Sequence, residues 1–407
     1  MSYARSLQWF WLGYAFLIAL GTVFLSLPLA TTENGNLFTA FFTATSAVCL
    51  VGFTLTDTAT YFTPWGQSAI LLLIQLGALL YLFFAVQLVR QTNRTSPDEG
   101  TSPKSLLPRI VGITLLIEGG AFLVIFYAWG DYAFESIRDK VFVTAFHAVS
   151  AFCNAGFSVL DDNLYTVQRA FVLHLVVLIA YGLGGLGIDT LYDLFSPKRL
   201  RQRLAKPETD WRPMTKISVN TSILLVGAGA VLFYTLEQRN TLEGLNLTEK
   251  LIGSLFQSAT TRTAGFYTVD STQLTHVSLV VMTILMLVGG GAGSTAGGIK
   301  TATLYHLFAR RRNHSQASKT RYFLAKWITG YALCVNLVGT LVLWLTEPDY
   351  SVISLLFEQV SAFSSVGLSN IDAYSFSLSG QVVILLSMLL GRIGTLSLGM
   401  VLVWHRQ

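Results

Sequence analysis

Ser46-Ala47-Val48-Cys49-Leu50-Val51-Gly52-Phe53, Ser150-Ala151-Phe152-Cys153-Asn154-Ala155-Gly156-Phe157, Ala259-Thr260-Thr261-Arg262-Thr263-Ala264-Gly265-Phe266 and Ser361-Ala362-Phe363-Ser364-Ser365-Val366-Gly367-Leu368 are four versions of one octapeptide. Each sets a small residue six positions before a glycine, and an aspartate follows each glycine by five: Asp57, Asp161, Asp270 and Asp372. The glycines stand 104, 109 and 102 residues apart, so the chain repeats itself four times. Each octapeptide lies in a short apolar stretch (37–53, 141–159, 251–259, 352–368) flanked by longer ones: Trp9–Ala30, Gly66–Val89, Ile110–Trp129, Ala170–Ile188, Ile217–Leu236, Val277–Gly298, Trp327–Leu345 and Leu378–Val403. Each longer stretch is near the roughly 20 residues a bilayer requires.

Composition agrees. Of 407 residues 52% are hydrophobic and 12% charged, against roughly 25% charged in soluble domains, which excludes a soluble globular reading. The net charge of +5 is too small to point to nucleic acid. Cys49, Cys153 and Cys334 are isolated and odd in number, leaving neither a disulfide framework nor a Cys-rich zinc site. The six histidines do not cluster, and a membrane enzyme would need His, Asp or Glu gathered at membrane depth. No catalytic residue is expected. The first apolar stretch has no leader-like cleavage pattern and reads as a retained helix.

Loop charge decides the topology. The segments 90–109, 198–216 and 310–326 hold 17 of the 27 basic residues, whereas 31–65 and 346–379 hold none. Twelve full spans would put the second basic loop opposite the other two, against the positive-inside rule; eight spans with four re-entrant segments put all three, and both termini, on the cytoplasmic side. The expectation is an all-α polytopic membrane protein: eight transmembrane helices and four re-entrant pore half-helices in a pseudo-fourfold array. Its units are 1–97, 98–206, 207–318 and 319–407.

Non-helical backbone at membrane depth is tolerated only when buried in protein or lining water. Four such stretches around one axis would make a pore lined by carbonyls, which can replace a cation's hydration shell. Glycine lets the chain turn those carbonyls inward, and half-helix C-termini aim partial negative charge at the ion. The filter positions are Val51, Gly52, Ala155, Gly156, Ala264, Gly265, Val366 and Gly367. The alternative for the glycines is close helix packing, but packing glycines need not recur at equivalent points of four segments. The four aspartates read either as turn and cap residues or as a negative ring concentrating cations at an outer mouth; both readings are compatible.

At these residues the chain resembles the Trk/Ktr/HKT superfamily of potassium transporters, most closely its bacterial KtrB-type membrane subunits. The resemblance runs from about Trp9 onward and rests on the Ser-Ala-Val-Cys start of the first octapeptide, Asn154-Ala155-Gly156-Phe157 and Thr261-Arg262-Thr263-Ala264-Gly265. It implies potassium uptake across the cytoplasmic membrane, with K+ as the transported ion held by filter carbonyls and no cofactor in this chain. In that family a serine at the first filter glycine goes with sodium; here all four are glycine, and a sodium-permeable or sodium-coupled transporter is the alternative. The resemblance further implies a homodimer in membrane lipid, docked on a separate cytosolic ring of nucleotide-binding, RCK-type regulatory subunits. No soluble sensor domain is expected after 405–407.

The run Gly289 to Lys300 has six glycines in twelve residues, enough to break a helix. A phosphate-binding loop is excluded because Ile299 separates Gly298 from Lys300 and no strand precedes it. The run resembles the family's intramembrane loop, with Gly290, Gly291, Gly293, Ser294, Thr295 and Lys300 as gate residues below the filter. Arg392, alone in the last apolar stretch, matches a family arginine that projects into the ion path; the alternative is a packing ion pair with Glu118 or Glu358. Glu358 and Arg262 are read as braces between adjacent pore elements, and His147 as a structural hydrogen-bonder. One departure is Gln75-Leu76-Gly77-Ala78-Leu79-Leu80, where the family has a glycine-rich turn; only Gly184-Gly185-Leu186-Gly187 keeps it.

Overall fold

The structure, a computed structural model, describes residues 3–33, 35–92, 103–206, 210–308, 316–371 and 373–404. The helices fall into four successive groups. The first has α1 (Tyr3–Leu25), α2 (Leu37–Cys49), the single turn α3 (Thr58–Tyr61) and α4 (Pro64–Thr92). Next come α5 (Pro103–Ala128), α6 (Ile137–Phe152), α7 (Phe171–Leu186), α8 (Ile188–Phe195) and α9 (Pro197–Ala205). The third holds α10 (Pro213–Glu237), α11 (Leu247–Thr260), α12 (His276–Met286) and α13 (Thr301–Phe308). The last holds α14 (Gln316–Thr346), α15 (Val352–Ser364), α16 (Leu378–Leu389) and α17 (Thr395–Trp404), the last two joined by a π-helical turn at Leu390–Gly394.

Among the described residues six helical segments are long and apolar enough to cross a membrane: Arg5–Leu25, Pro64–Val89, Leu106–Ala128, Pro213–Glu237, Lys319–Thr346 and Leu378–Leu402. The chain is a multi-pass, all-helical membrane protein. Two of the eight expected spans are interrupted, at the glycine run and the Gly184–Gly187 turn that the sequence marks. Ala170–Ile188 is not straight: α7 and α8 meet at 109° about Gly187, whose φ of +95° is barred to most side chains. Val277–Gly298 is not continuous, since α12 stops at Met286 and irregular backbone runs to Thr301. By contrast α4 passes unbroken through Gln75-Leu76-Gly77-Ala78, as its lack of the glycine-rich turn leads one to expect.

The short helices α2, α6, α11 and α15 are almost wholly buried along their second halves, while the long helices show apolar side chains such as Leu12, Leu116, Ile223 and Leu337 outward. That inversion is what lipid as solvent requires. Buried carboxylates pin the long helices in pairs. Glu237, at the end of α10, accepts from Thr275 N (3.0 Å), Thr275 Oγ1 (2.8 Å) and Ser278 Oγ at the start of α12. Glu347, beyond the end of α14, accepts likewise from Ser377 N (3.1 Å) and Oγ at the start of α16. Each carboxylate satisfies the orphan N-terminal groups of the next helix.

Candidate functional site

The four octapeptides share one backbone solution. In three of them the short helix closes with a Schellman pair: Leu50 N to Ala47 O (3.2 Å) with Val51 N to Ser46 O (2.9 Å), Asn154 N to Ala151 O (3.0 Å) with Ala155 N to Ser150 O (2.9 Å), and Ser365 N to Ala362 O (3.2 Å) with Val366 N to Ser361 O (2.9 Å). The third copy uses a shorter closure, Ala264 N to Thr260 O at 3.0 Å. This motif puts the residue two before each glycine in the left-handed region: Leu50 (φ 56°), Asn154 (55°), Thr263 (73°) and Ser365 (54°). Only Asn154 is of a type that favours it, the others bearing roughly 1 kcal/mol or more of strain. The glycines then have φ of +90°, +71°, +77° and +86°. Hydroxyls six and five positions earlier tie down the following carbonyls: Ser150 Oγ donates to Phe157 O (2.7 Å) and Thr260 Oγ1 to Phe266 O (2.6 Å).

These turns close a ring. A Cβ placed on Gly52 would lie 2.7 Å from Ala155 O. One on Gly156 would lie 2.9 Å from the Gly265 Cα, one on Gly265 would strike Val366 O, and one on Gly367 would strike Val51 O. Each glycine thus faces the next copy's glycine or the carbonyl before it, in the cyclic order 52, 156, 265, 367. Val51, Ala155, Ala264 and Val366 themselves are fully buried.

On one side of the ring lies a cavity of about 490 Å³, lined by all four glycines and by Asp57, Asp161, Asp162 and Asp270. Asp57 caps α3, accepting from Ala59 N (3.1 Å) and Thr60 Oγ1 (2.8 Å), and Asp270 accepts from Thr272 N (2.9 Å) and Gln273 Nε2 (2.8 Å). Cap and cavity wall are one residue in both cases. Partial burial pushes the Asp270 carboxyl up, but the hydrogen bonds from Thr272 and Gln273 outweigh it and hold the group below its ordinary value. Asp372 lies outside the described residues. Asp162 was not among the sequence candidates; it adjoins Asp161, a doubling the other copies lack.

On the other side sits the glycine-rich run, with Gly290, Gly291, Ser294 and Thr295 buried. It docks on the α7–α8 break: Gly291 N donates to Gly185 O (2.7 Å), Thr295 N to Gly184 O (3.3 Å), and Ile188 N to Gly293 O (3.1 Å). Its tip reaches the second octapeptide, Thr295 Oγ1 donating to Asn154 Oδ1 (3.0 Å) and Phe152 O (3.3 Å). Arg262 Nη2 holds its start through Gly289 O at 2.5 Å. Lys300 Nζ closes its end on Ser294 Oγ (3.3 Å) and Ala296 O.

Arg392 is fully buried in the π-helical turn, a widened turn frequent at functional sites. Its Nη1 donates to Thr295 O at 2.6 Å, and its guanidinium carbon stands 3.7 Å from the centroid of the Tyr81 ring. The alternative of an ion pair is overturned. Glu118 meets Gln75 Nε2 (3.3 Å) and the Cys153 thiol (3.6 Å), and Glu358 accepts from Ser369 Oγ (2.8 Å), Asn370 N (2.7 Å) and Ile371 N (3.0 Å). Glu358 and Arg262 do not brace each other: the arginine ties its own copy to Gly289 and Ser222. His147 contacts Val143 O (2.8 Å) and Ser158 Oγ (2.9 Å) and is structural. Tyr81 and the Gly184–Gly185 carbonyls were missed, because contacts between distant helices leave no local signal; the retained Gly184-Gly185-Leu186-Gly187 was the available clue.

Residues 105–404 match the family model for TrkH, described as a cation transport protein. The chain belongs to the TrkH cation transport protein family. It is accordingly a transporter and not an enzyme. Relatives of the family member include the potassium/sodium uptake protein NtpJ of Enterococcus hirae, 32% identical with 95% of this chain and 90% of that one covered. Another is the Ktr system potassium uptake protein B of Bacillus subtilis, 31% identical with the same coverage. The fold is that of the potassium transporter TrkH from Vibrio parahaemolyticus, with a TM-score of 0.76 over 98% of this chain and 84% of that one, at 17% identity.

Proposed function

We propose that this protein carries K+ into the cell across the cytoplasmic membrane, through a filter made by the carbonyls around Gly52, Gly156, Gly265 and Gly367. The observation that carries the reading is the closed ring of four left-handed glycines, each packed on the next copy's backbone. Around it stand eight transmembrane helices, of which α7–α8 and α12–α13 are interrupted, and four re-entrant half-helices α2, α6, α11 and α15; the units are 1–97, 98–206, 207–318 and 319–407. The names of the relatives, potassium uptake and potassium/sodium uptake, support the ion class.

Ions enter from the acidic cavity, where Asp57, Asp161 and Asp270, together with Asp372, raise the local cation concentration. Below the filter the run 289–300 obstructs the path, and Arg392 and Lys300 add an electrostatic barrier to it. Basic loops and both termini face the cytosol by the positive-inside rule. The subunit works as a homodimer with a cytosolic nucleotide-binding, RCK-type ring that biases the loop. The test is growth rescue and rubidium uptake in a potassium-uptake-deficient bacterium, with and without that partner; failure of both with folded protein in the membrane would refute the reading. A sodium-permeable transporter is the second reading, favoured by the potassium/sodium name of one relative and opposed by glycine at position 52; sodium competition against rubidium separates the two.

A further inference from the structure

Beneath the glycine-rich run is a cavity of about 170 Å³, walled by α4, α13, α14 and α17 and roofed by Ala292, Gly293 and Gly298. Its walls are mostly apolar, with Leu88, Leu324 and Ile328 among them, and among the described residues no acidic one lines it, whereas Lys300, His306 and Arg321 do. Among the described residues the ion pairs gather on Asp193 and Asp210, and none reaches Lys300, Arg321 or Arg392. Lys300 has hydroxyl and carbonyl oxygens and the Tyr81 ring, but no carboxylate among the described residues, around its ammonium, and Arg392 is fully buried beside it with two guanidinium nitrogens unpartnered. Lys300, His306 and Arg321 are half-buried and Arg392 is buried; like positive charges gathered around a partly apolar cavity without a counter-charge repel one another and favour an anion between them.

We propose that the cavity binds the anionic head and first methylenes of a single-chain amphiphile such as a fatty-acid carboxylate. The head lies against Lys300 and Arg321 and supplies the missing negative charge. The methylenes fill the apolar wall made by Leu324 and Ile328 of α14, whose further length exposes apolar side chains such as Trp327 and Leu333 along which the tail extends. A small inorganic anion would leave those walls wet, and a cavity of this size takes a headgroup and a short stretch of chain, not a two-chain lipid. A ligand seated on Ala292, Gly293 and Gly298 binds best when the loop is in the arrangement seen here and biases the protein toward it. This last consequence rests on the loop being the gate; the binding does not.

The experiment uses the full chain in phosphatidylcholine nanodiscs, radiolabelled laurate as the probe, and empty discs as the blank. Binding is expected to saturate at one laurate per chain, to weaken at least tenfold in Arg321→Gln, and to be lost in Ala325→Phe, which fills the cavity without changing charge. Arg201→Gln, at an exposed position on α9, should bind as the parent does. Dodecanol and inorganic phosphate, each carrying half of the chemistry, should compete at least tenfold more weakly than laurate. Binding that never saturates, that survives both cavity variants, or that phosphate alone displaces as well as laurate overturns the proposal. Laurate should also slow rubidium uptake in the parent and not in Arg321→Gln; saturable, Arg321-dependent binding with unchanged uptake would support the site and count against the loop as gate.

Discussion

Arg392→Gln separates the barrier role of this arginine from a packing role. A unit charge about 4 Å from a passing cation costs it roughly 1 kcal/mol in a water-like path and roughly 4 kcal/mol at the effective dielectric of a protein surface. Even the lower figure is about a fivefold factor in rate. The substitution also removes the hydrogen bond to Thr295 O at 2.6 Å, which loosens the loop and acts in the same direction. Stability should change little. The lost charge-assisted hydrogen bond is worth about 1.5–3 kcal/mol, the stacking on Tyr81 somewhat less, and both are offset by relief of a buried guanidinium with two unpartnered nitrogens. Had Arg392 been paired with Glu118 or Glu358, an orphaned carboxylate would instead cost about 3–5 kcal/mol. The assay is rubidium uptake per folded protein with thermal unfolding measured alongside, and Arg392→Lys as the charge-retaining control. Uptake is expected to rise at least about fivefold in Arg392→Gln and to stay near the parent in Arg392→Lys; no rise in the glutamine variant, or a large loss of stability in its place, would refute the reasoning.

Gly52→Ser should weaken the preference for rubidium over sodium, because its Cβ falls 2.7 Å from Ala155 O at a φ of +90°; an unchanged sodium competition profile in folded protein would remove Gly52 from the filter. Deleting residues within Gly290–Ser294 should raise uptake with little change in that profile, and a folded deletion no faster than the parent would dismiss the loop as the obstruction. Gly187→Ala should destabilise by at least roughly 1–3 kcal/mol, the cost of placing a side chain in a backbone region (φ 95°, ψ 146°) that glycine alone readily adopts, since its Cβ also strikes Ala292 O; an unchanged melting temperature would show that the α7–α8 bend does not dock the loop. Asp270→Asn should slow uptake at low ionic strength and much less at high salt. Because hydrogen bonds hold the Asp270 carboxyl below its ordinary value, the stability it contributes is present above the unfolded carboxylate range and is lost as pH falls through its lowered folded value, so a parent-minus-variant difference that appears only near neutral pH would contradict the assignment.

The ring was legible because its signal is periodic. Four glycines at nearly equal spacing, each with a small residue six before it, survive any uncertainty about where a helix begins. The left-handed residues ahead of them were not legible, since leucine, threonine and serine at 50, 263 and 365 give no local cue for that conformation; the backbone imposes it, through the Schellman closure at 50 and 365 and the shorter closure at 263. Hydropathy alone, summed over a window, does not register that Gly187 bends one of the eight stretches and that the run after Met286 breaks another; it was the glycine runs at 184–187 and 289–298 that marked both places. The sequence marked Arg392 as a charge needing an explanation but not its partners, as Thr295 is 97 positions away and Tyr81 lies three copies back.

Those same long-range contacts show why the glycine-rich run is irregular and not merely helix-poor. Its start is held by Arg262 from the third octapeptide, its middle by the broken α7–α8 helix, and its tip by Asn154 of the second octapeptide and Arg392 of the fourth group. A helix would satisfy its own amides and carbonyls and leave none for these partners. Glycine gives up that self-sufficiency and permits the close approaches that Gly289, Gly291 and Gly297 make to neighbouring carbonyls. The loop's position is therefore set by groups reaching in from three of the four repeats, and moving it must disturb three of the four octapeptides directly, the second at Asn154, the third at Arg262 and the fourth at Ser364, on which Gly297 packs. Coupling between the proposed gate and the proposed filter is expected from that wiring: Thr295→Val, which keeps the shape but removes the donor to Asn154, should change uptake rate and rubidium-to-sodium preference together, whereas a loop independent of the ring would alter rate alone.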